Sequence, residues 1–461
     1  MQSEQSLSLA NPNPIHTSLL QKLSLAAISM GLLMVFIAWA NGNGGDVKYP
    51  TGLFSFINVK IYLAITLLLI TIGTLIFVRE EYAHKPEGIK NNGVFFKSLT
   101  YRGIWGWMLG VLLTGFYVVL YWYPQYMTGL IQLFDPLSKF VSGRPADQWF
   151  VYGSLYTLGV LLMGYKFGMK YRHNRYQLIR TASVSFFQLG FAFLIPSFLK
   201  MMNEPDYYFT YFWPLKPDYM KPDGVAYVVQ SSSHGIGWYF IAFSALMTFI
   251  AVPILTYFYG KRWYCSWVCG CGGLAETAGD PFRHLSDKSL KAWKIERWMI
   301  HSVLVFITIT TVLLWANSYM QGALLGSLSM GFSKAYGFFI GSIFSGVIGT
   351  GFYPILGSRS WCRFGCPQAA ILGIFQRKKS KFRITTNGGQ CISCGNCSTY
   401  CEMGIDVRAY AQKGQDIVRA SCVGCGICSA VCPRGVLRLE NSDVDINERA
   451  SIFKLHTDTL G

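Results

Sequence analysis

Long apolar runs recur along this 461-residue chain, at 22–41, 57–78, 104–126, 149–169, 181–200, 236–259, 299–317 and 335–357. Each is about the length that crosses the hydrocarbon core of a bilayer as a helix. Lipid offers no hydrogen bonds to a bare backbone, so such runs fold as helices that satisfy their own amides. The expected architecture is therefore mostly α, a polytopic transmembrane bundle of about eight helices. The third and fourth runs are the most interrupted, and the eighth is rich in glycine. Composition agrees, because charged residues make up only 14% of the chain, against about a quarter in soluble domains.

The formal net charge of +17 raises the question of a nucleic-acid partner. The basic residues lie in short segments between apolar runs instead of forming one footprint, which is the pattern of membrane loops and excludes nucleic acid as the expected partner. Arg79, Lys85, Lys90, Lys97 and Arg102 follow the second run. Lys170, Arg172, Arg175 and Arg180 follow the fourth, and Lys261, Arg262, Arg283, Lys288, Lys291, Lys294 and Arg297 follow the sixth. The intervening loops hold only Lys48, then Lys139 and Arg144, then Lys216 and Lys221. By the positive-inside rule, both termini face the cytoplasm of a multi-pass inner-membrane protein. Ala38-Trp39-Ala40 resembles a signal-peptide cleavage site, but the preceding stretch lacks a basic n-region beyond Lys22, so a retained anchor is expected.

All 13 cysteines fall between Cys265 and Cys432, a clustering that favours metal ligation in a reducing compartment over a disulfide framework. C-I-S-C-G-N-C-S-T-Y-C runs from Cys391 to Cys401, and C-V-G-C-G-I-C-S-A-V-C-P runs from Cys422 to Pro433. Both have the C-x2-C-x2-C-x3-C spacing of bacterial two-cluster ferredoxins. Three thiolates on one loop wrap one cubane, and the fourth reaches the other. Cys391, Cys394, Cys397 and Cys432 are thus expected to hold one [4Fe–4S] cluster, and Cys422, Cys425, Cys428 and Cys401 a second. The tail is expected to be a small α+β domain on the cytoplasmic side. No Cys-x-x-Cys precedes a histidine, so the c-type haem motif is absent. The first motif is followed by Glu402 where the second has Pro433, and a carboxylate there is expected to lower the potential of the neighbouring cluster. The basic run from Gln376 to Arg383 reads as an anchor to anionic lipid or as a docking patch for an acidic redox partner.

A second repeat lies at the membrane edge. Gly260-Lys261-Arg262-Trp263-Tyr264-Cys265-Ser266-Trp267-Val268-Cys269-Gly270 matches Gly357-Ser358-Arg359-Ser360-Trp361-Cys362-Arg363-Phe364-Gly365-Cys366-Pro367. The i, i+4 spacing would set each cysteine pair on one helix face. Cys265, Cys269, Cys362 and Cys366 are candidates for a metal or extra cluster site, a dithiol relay or the wall of a quinone pocket. The alternative is that they are small buried hydrophobes. Cys271 has no counterpart in the second copy.

At this point the chain resembles membrane polyferredoxins of the NosR/NapH type and the related cytochrome-oxidase copper-site assembly proteins. They combine transmembrane helices, paired C-x3-C-P motifs and a two-cluster ferredoxin, and the resemblance covers roughly residues 240–440. Gly270 departs from that pattern, and neither a large outer flavin-binding domain nor an immunoglobulin-like tail is evident. The implied division is a cytoplasmic segment (1–21), helices one to six (22–260), a loop with the first cysteine pair (261–298), helices seven and eight (299–367), a basic linker (368–388), the ferredoxin (389–440) and a tail (441–461). The resemblance implies electron relay between a quinol and a redox partner subunit through two [4Fe–4S] clusters. Glu204, Asp206 or His234 are candidate proton acceptors, although the aromatic run from Asp206 to Trp213 also reads as an interfacial belt. His234 and His301 lie at opposite ends of their helices and offer no bis-histidine haem site. Metal handling for a terminal oxidase or reductase, or redox sensing, are the other readings. No nucleotide-binding glycine loop or nucleophile motif occurs in a fitting context.

Overall fold

The computed structural model describes residues 18–41, 53–83, 103–326 and 328–441. Residues 1–17, Lys48, the basic stretch from Lys85 to Arg102, and the tail from residue 442 onward lie outside the described residues. The chain is mostly helical. Six helices among the described residues are long and apolar enough to cross a membrane: α1 Leu19–Ala40, α2 Val59–Tyr82, α3 Ile104–Trp122, then, after α4 Thr128–Ser142 and α5 Gln148–Lys170, α6 Arg175–Met201, α7 Ser233–Tyr259 and, beyond the short α8 Gly270–Thr277, α9 Leu290–Tyr319.

The other two expected spans are helical but different in kind. Helix α5 is 23 residues long yet carries Ser154, Thr157 and Lys170 on its buried face, so it packs among its neighbours. The eighth, at 328–351, is widened to i→i−5 hydrogen bonding between Gly337 and Ile348. Its glycines leave the backbone little side-chain packing to hold α-helical pitch. Widened turns also interrupt α6 at Phe187–Leu194 and α7 at Met247–Ala251. Pro196 and Pro253 follow closely, and each removes a donor and crowds the carbonyl four residues back.

The helix ends sort by side. Ser18 and Gln21 at the start of α1 reach Glu80 and Glu81 at the end of α2, and the Arg172 guanidinium donates to the Tyr82 and Ala83 carbonyls. The loops around 172, 262–289 and 357–366 share that end, and the ferredoxin tail packs there. At the opposite end Lys221 donates to Ser333 and Trp315 to the Met220 carbonyl. In the tail, β1 Arg383–Thr386 pairs antiparallel with β2 Leu437–Glu440, with Arg383 opposite Glu440. Ile384, Ile405, Val407, Ile417, Val423 and Leu437 fill the core beneath. The stretch read as a linker is docked: after α10 Pro367–Lys379, Phe382 is 1% exposed and packs under the Arg262 guanidinium.

Both copies of the membrane-edge repeat open on a backbone that only glycine adopts readily. Gly260 has φ 64°, ψ −169° and Gly357 has φ 89°, ψ 168°. A Cβ on Gly260 would meet Phe382 and the Gln376 side-chain oxygen at 2.7–2.8 Å, and one on Gly357 would meet the Ser286 amide at 2.9 Å. We expect Gly260→Ala and Gly357→Ala each to cost at least about 1–3 kcal/mol and to lower the thermal unfolding midpoint in detergent. Gly341→Ala, where a Cβ meets nothing within 4 Å, should leave it unchanged or raise it.

Candidate functional site

The tail gathers its cysteines into two groups. Cys391, Cys394, Cys397 and Cys432 line one small cavity, and Cys401, Cys422, Cys425 and Cys428 line another. The two loops share a conformation. Ser393 and Gly395 flank Cys394 at φ 58° and 81°, as Gly424 and Gly426 flank Cys425 at 62° and 75°. Left-handed residues on either side of the central cysteine curl each loop so that three thiols face one hollow. A short helix follows each loop, Asn396–Thr399 and Ile427–Ala430, and carries the fourth cysteine across to the other. Four thiols around an otherwise apolar hollow are a donor set that fits a thiolate-bound cubane.

The groups differ in surroundings. Cys394 and Ile392 of the first are exposed. The second is wrapped by the helical half. The Tyr176 hydroxyl donates to the Gly424 carbonyl at 2.9 Å, Gln177 Nε2 to Cys425 at 2.9 Å, Ser266 to Val423 at 2.8 Å, and Gln376 Nε2 to Cys422 at 2.8 Å. The second group is therefore the inner one.

Beside it runs a buried chain of charges. Lys170 pairs with Asp280 at 2.8 Å, Asp280 with Arg283 at 2.9 Å, and Arg283 with Glu402 at 2.6 Å. Glu402 meets Arg359 at 3.0 Å, Arg359 meets Glu276 at 2.6 Å, and Glu276 contacts Arg180. Each of these side chains is at most 3% exposed. One oxygen of Glu276, one of Glu402 and the Cys425 sulfur lie within 4.8 Å of one another. Glu402, the carboxylate expected to lower the potential of the neighbouring cluster, is held by two guanidiniums. Burial alone would raise the Glu402 carboxyl, but Arg283, Arg359 and Arg180 keep it below its ordinary value. Burial likewise opposes ionisation of Asp280, yet Lys170 and Arg283 bring it down to about 2.

The repeat cysteines do not share helix faces as the i, i+4 spacing suggested. Cys265 ends the short helix Arg262–Cys265, and Cys362 lies in a widened turn. Cys269 and Cys366 have extended backbones and cap the next helices, α8 and α10. The Cys269 amide donates to Tyr264 at 2.8 Å and the Cys366 amide to Trp361 at 3.0 Å, so both copies close with the same i→i−5 turn. All four are buried in one cluster. Arg359 ties the copies together, donating to the Cys265 carbonyl at 3.1 Å and to the Cys362 sulfur at 3.6 Å. Cys271 completes the group, because its thiol donates to the Cys269 sulfur and lowers Cys269 to about 7.

On the far side of the repeat a cavity of about 720 Å³ is lined by Trp149, Tyr152, Tyr156, Tyr208 and Tyr211 and reaches Cys271, Trp361 and Pro367. Lys200, Asp206, Lys216, Asp218 and Lys334 line it at the opposite end. The aromatic run from Asp206 to Trp213 is not a surface belt but dips into the bundle. Tyr207 and Phe212 are 1% exposed, and the Tyr264 hydroxyl of the repeat donates to the Thr210 carbonyl at 2.7 Å. Gly270, the departure from Pro367, has its reason here: a Cβ would meet Gln188 Oε1 at 2.5 Å and the Tyr211 hydroxyl at 2.7 Å. Gln188 Oε1 is shielded and has no hydrogen-bond partner among the described residues, while its amide donates to Thr157 at 3.0 Å. Of the candidate proton acceptors, Asp206 lines the cavity. Glu204 instead accepts the Ser233 amide at 3.0 Å, and exposed His234 sits at a left-handed turn with φ 51°.

A bundle with six membrane-length helices and a cysteine-lined tail defines the class, a membrane-associated iron–sulfur protein. Residues 241–289 and 336–385, the two repeat segments, match a family model described as a 4Fe-4S binding domain. Residues 390–437 match one described as a 4Fe-4S dicluster domain. The chain is homologous to YccM of Escherichia coli, assigned by name to electron transport, with 27% identity over 172 residues, 35% of this chain and 46% of that protein. It is also 25% identical over 203 residues to the methylamine utilization ferredoxin-type protein MauN of Paracoccus denitrificans, covering 42% of this chain and 66% of that one. The match spans less than two thirds of either relative. No solved structure matches the chain.

Sequence reasoning missed Glu276, Asp280 and Gln188, and read Arg180 and Arg283 as loop charges. The available signal was acidic residues inside a basic, charge-poor segment. Removing one partner from a buried pair costs about 3–5 kcal/mol, so Asp280→Asn should destabilise the protein strongly at pH 7. Because the folded pKa of Asp280 is depressed to about 2, its contribution is full above about pH 4 and is lost as pH falls towards 2. The stability gap between wild type and variant, measured by tryptophan fluorescence, should be constant from about pH 7 to 5 and shrink below about pH 4.

Proposed function

We propose that this protein relays electrons between a quinol and a redox partner, with the tail and both termini on the cytoplasmic side. The observation that carries this reading is the continuity of the site. An aromatic cavity ends at Cys271 and Trp361, the repeat stands behind it, and Arg359 spans from Cys362 to Glu402 beside the inner cysteine group. The side assignment is supported by the basic loops, which share one end of the bundle with the tail.

In this account Cys401, Cys422, Cys425 and Cys428 hold the inner [4Fe–4S] cluster, and Cys391, Cys394, Cys397 and Cys432 the outer. Bound clusters supply one-electron acceptors. A quinol ring fits the cavity, whose volume lies in the range of small-molecule sites. One quinol hydroxyl donates to Gln188 Oε1, the buried acceptor that otherwise goes unmet. Oxidation of the quinol to the quinone releases two electrons and two protons. Clusters held by the two cysteine groups would supply acceptors for the electrons, and Tyr208 and Asp206 line the way for the protons to the far side. Exposed Cys394 and Ile392 present the outer cluster to a partner.

A second reading extends the first. Cys265, Cys269, Cys362 and Cys366 hold a further thiolate-bound redox group, supported by the 4Fe-4S binding model that covers both repeat segments. Iron content above that of two clusters, falling to two clusters when all four become serine, would establish it. Iron content unchanged by those substitutions would dismiss it.

The main reading is tested anaerobically. Adding a menaquinol or ubiquinol analogue to detergent-purified protein should bleach the visible iron–sulfur absorption. Gln188→Leu should slow that bleaching by about fivefold to a hundredfold, the worth of a hydrogen bond to a buried acceptor, while reduction by dithionite is unchanged. Clusters that accept electrons from dithionite and never from quinol would refute the relay.

A further inference from the structure

A second large cavity lies where the tail meets the helices, and nothing in the electron relay uses it. It is about 530 Å³ in volume, between the start of α9, helix α10 and the segment Val418–Ser421. Arg297, Arg377, Lys378 and Arg419 line it together with Trp293. Arg297 and Arg419 lie over the Trp293 ring, at 5.3 and 4.6 Å from its centroid. None of these four cations is in an ion pair among the described residues. The one carboxylate in the wall, Glu296, is already held by Arg363 at 2.7 Å and by Ser421. Arg363 itself is 3% exposed, and its Nη2 has no hydrogen-bond partner among the described residues.

We infer that this groove binds the phosphate headgroup of an anionic phospholipid. Cations with no counter-charge, arranged around a hollow that includes a buried orphan guanidinium nitrogen, call for an anion with several acceptor oxygens. The groove opens beside the first turns of a membrane-length helix. On that helix Ile295 and Trp298 are 44% and 79% exposed, giving acyl chains an apolar surface and the interface a tryptophan. A soluble anion would have no use for that face, which favours lipid as the source of the phosphate. Arg419 belongs to the tail and Arg297 and Arg377 to the helices, so one headgroup clamps the two halves together, against the wall that contains Cys362. The inference rests on α9 lying in a bilayer and is independent of whether quinol is the electron donor.

Native mass spectrometry of delipidated full-length protein titrated with phosphatidylglycerol or phosphatidylcholine tests it. We expect one tightly held phosphatidylglycerol and no comparable phosphatidylcholine. Surface cations contribute roughly fivefold each towards anionic lipid, so Arg297→Gln/Arg377→Gln/Arg419→Gln should weaken that binding about a hundredfold. Lys291→Gln/Lys294→Gln/Lys413→Gln, which removes exposed cations outside the groove, should leave it within a fewfold of wild type. An unchanged visible iron–sulfur spectrum in both variants serves as the folding control. Equal binding by the groove variant, or equal loss in both variants, overturns the proposal. So does displacement of phosphatidylglycerol by inorganic phosphate at similar concentration, which would make the site one for a soluble anion. A groove variant that keeps its phosphatidylglycerol but no longer exchanges electrons with an acidic soluble carrier would give the surface to a protein partner and also overturn it.

Discussion

Arg359 and the two glutamates it joins hold this molecule together. Burying a guanidinium and a carboxylate costs several kcal/mol per ion unless geometry and further hydrogen bonds compensate. Here the compensation is shared along a chain from Lys170 to Arg180, with Asp280, Arg283, Glu402, Arg359 and Glu276 between them. Lys170 and Arg180 come from helices, Glu276, Asp280 and Arg283 from the first repeat segment, Arg359 from the second, and Glu402 from the tail. No one of these segments can satisfy its own charges. The cost of leaving any of them unpaired fixes where the tail sits, and so fixes which cysteine group faces the membrane half.

The same requirement for satisfied polar groups shapes the far side of the repeat. Irregular backbone at membrane depth is tolerated where it is enclosed by protein or lines a cavity, and the segment around Thr210 does both. Its descent is anchored by Tyr264, an aromatic inside the repeat itself. The Gly270 position is what lets Tyr211 and Gln188 approach the first cysteine pair. The two copies of the repeat have thus diverged for a physical reason. The first copy keeps a glycine where Gln188 and Tyr211 approach closely, and the second keeps the helix-starting proline.

Much of this was legible in the residues. Apolar length marked the helices, and among the described residues the end of α2 and the basic segments after α5 and α7 share a side. The C-x2-C-x2-C-x3-C spacing gave a crossed grouping of thiols that matches the two cavities, because ligand order in a short loop is a local property. The misses come partly from partners distant in sequence and partly from local breaks in helix pattern. A spacing of i, i+4 implied one helix face for Cys265 and Cys269, but glycine and proline just beyond each pair start a new helix and turn the second cysteine into its cap. The partners of Glu402, Arg283 and Arg359, are distant in sequence, so the motif that contains it does not reveal them. The Asp206–Trp213 run looked interfacial because composition cannot say whether an aromatic segment lies on a bundle or within it. Among the described residues six helices, not eight, are both long and apolar enough to cross a membrane, because polar residues on α5 and glycines from Gly337 onward defeat a reading by apolar length alone.

Electrons are proposed to enter the tail through the inner cysteine group. Quinol-driven reduction of two single-site variants tests it most directly. Cys394→Ser disables the exposed outer group, and Cys425→Ser disables the inner group beside Glu402. With the inner cluster alone, quinol should bleach one cluster at the wild-type rate. With the outer cluster alone, dithionite should reduce it and quinol should reduce it little or not at all. Equal reduction of both variants by quinol would contradict it, because the outer cluster would then have its own route to the donor.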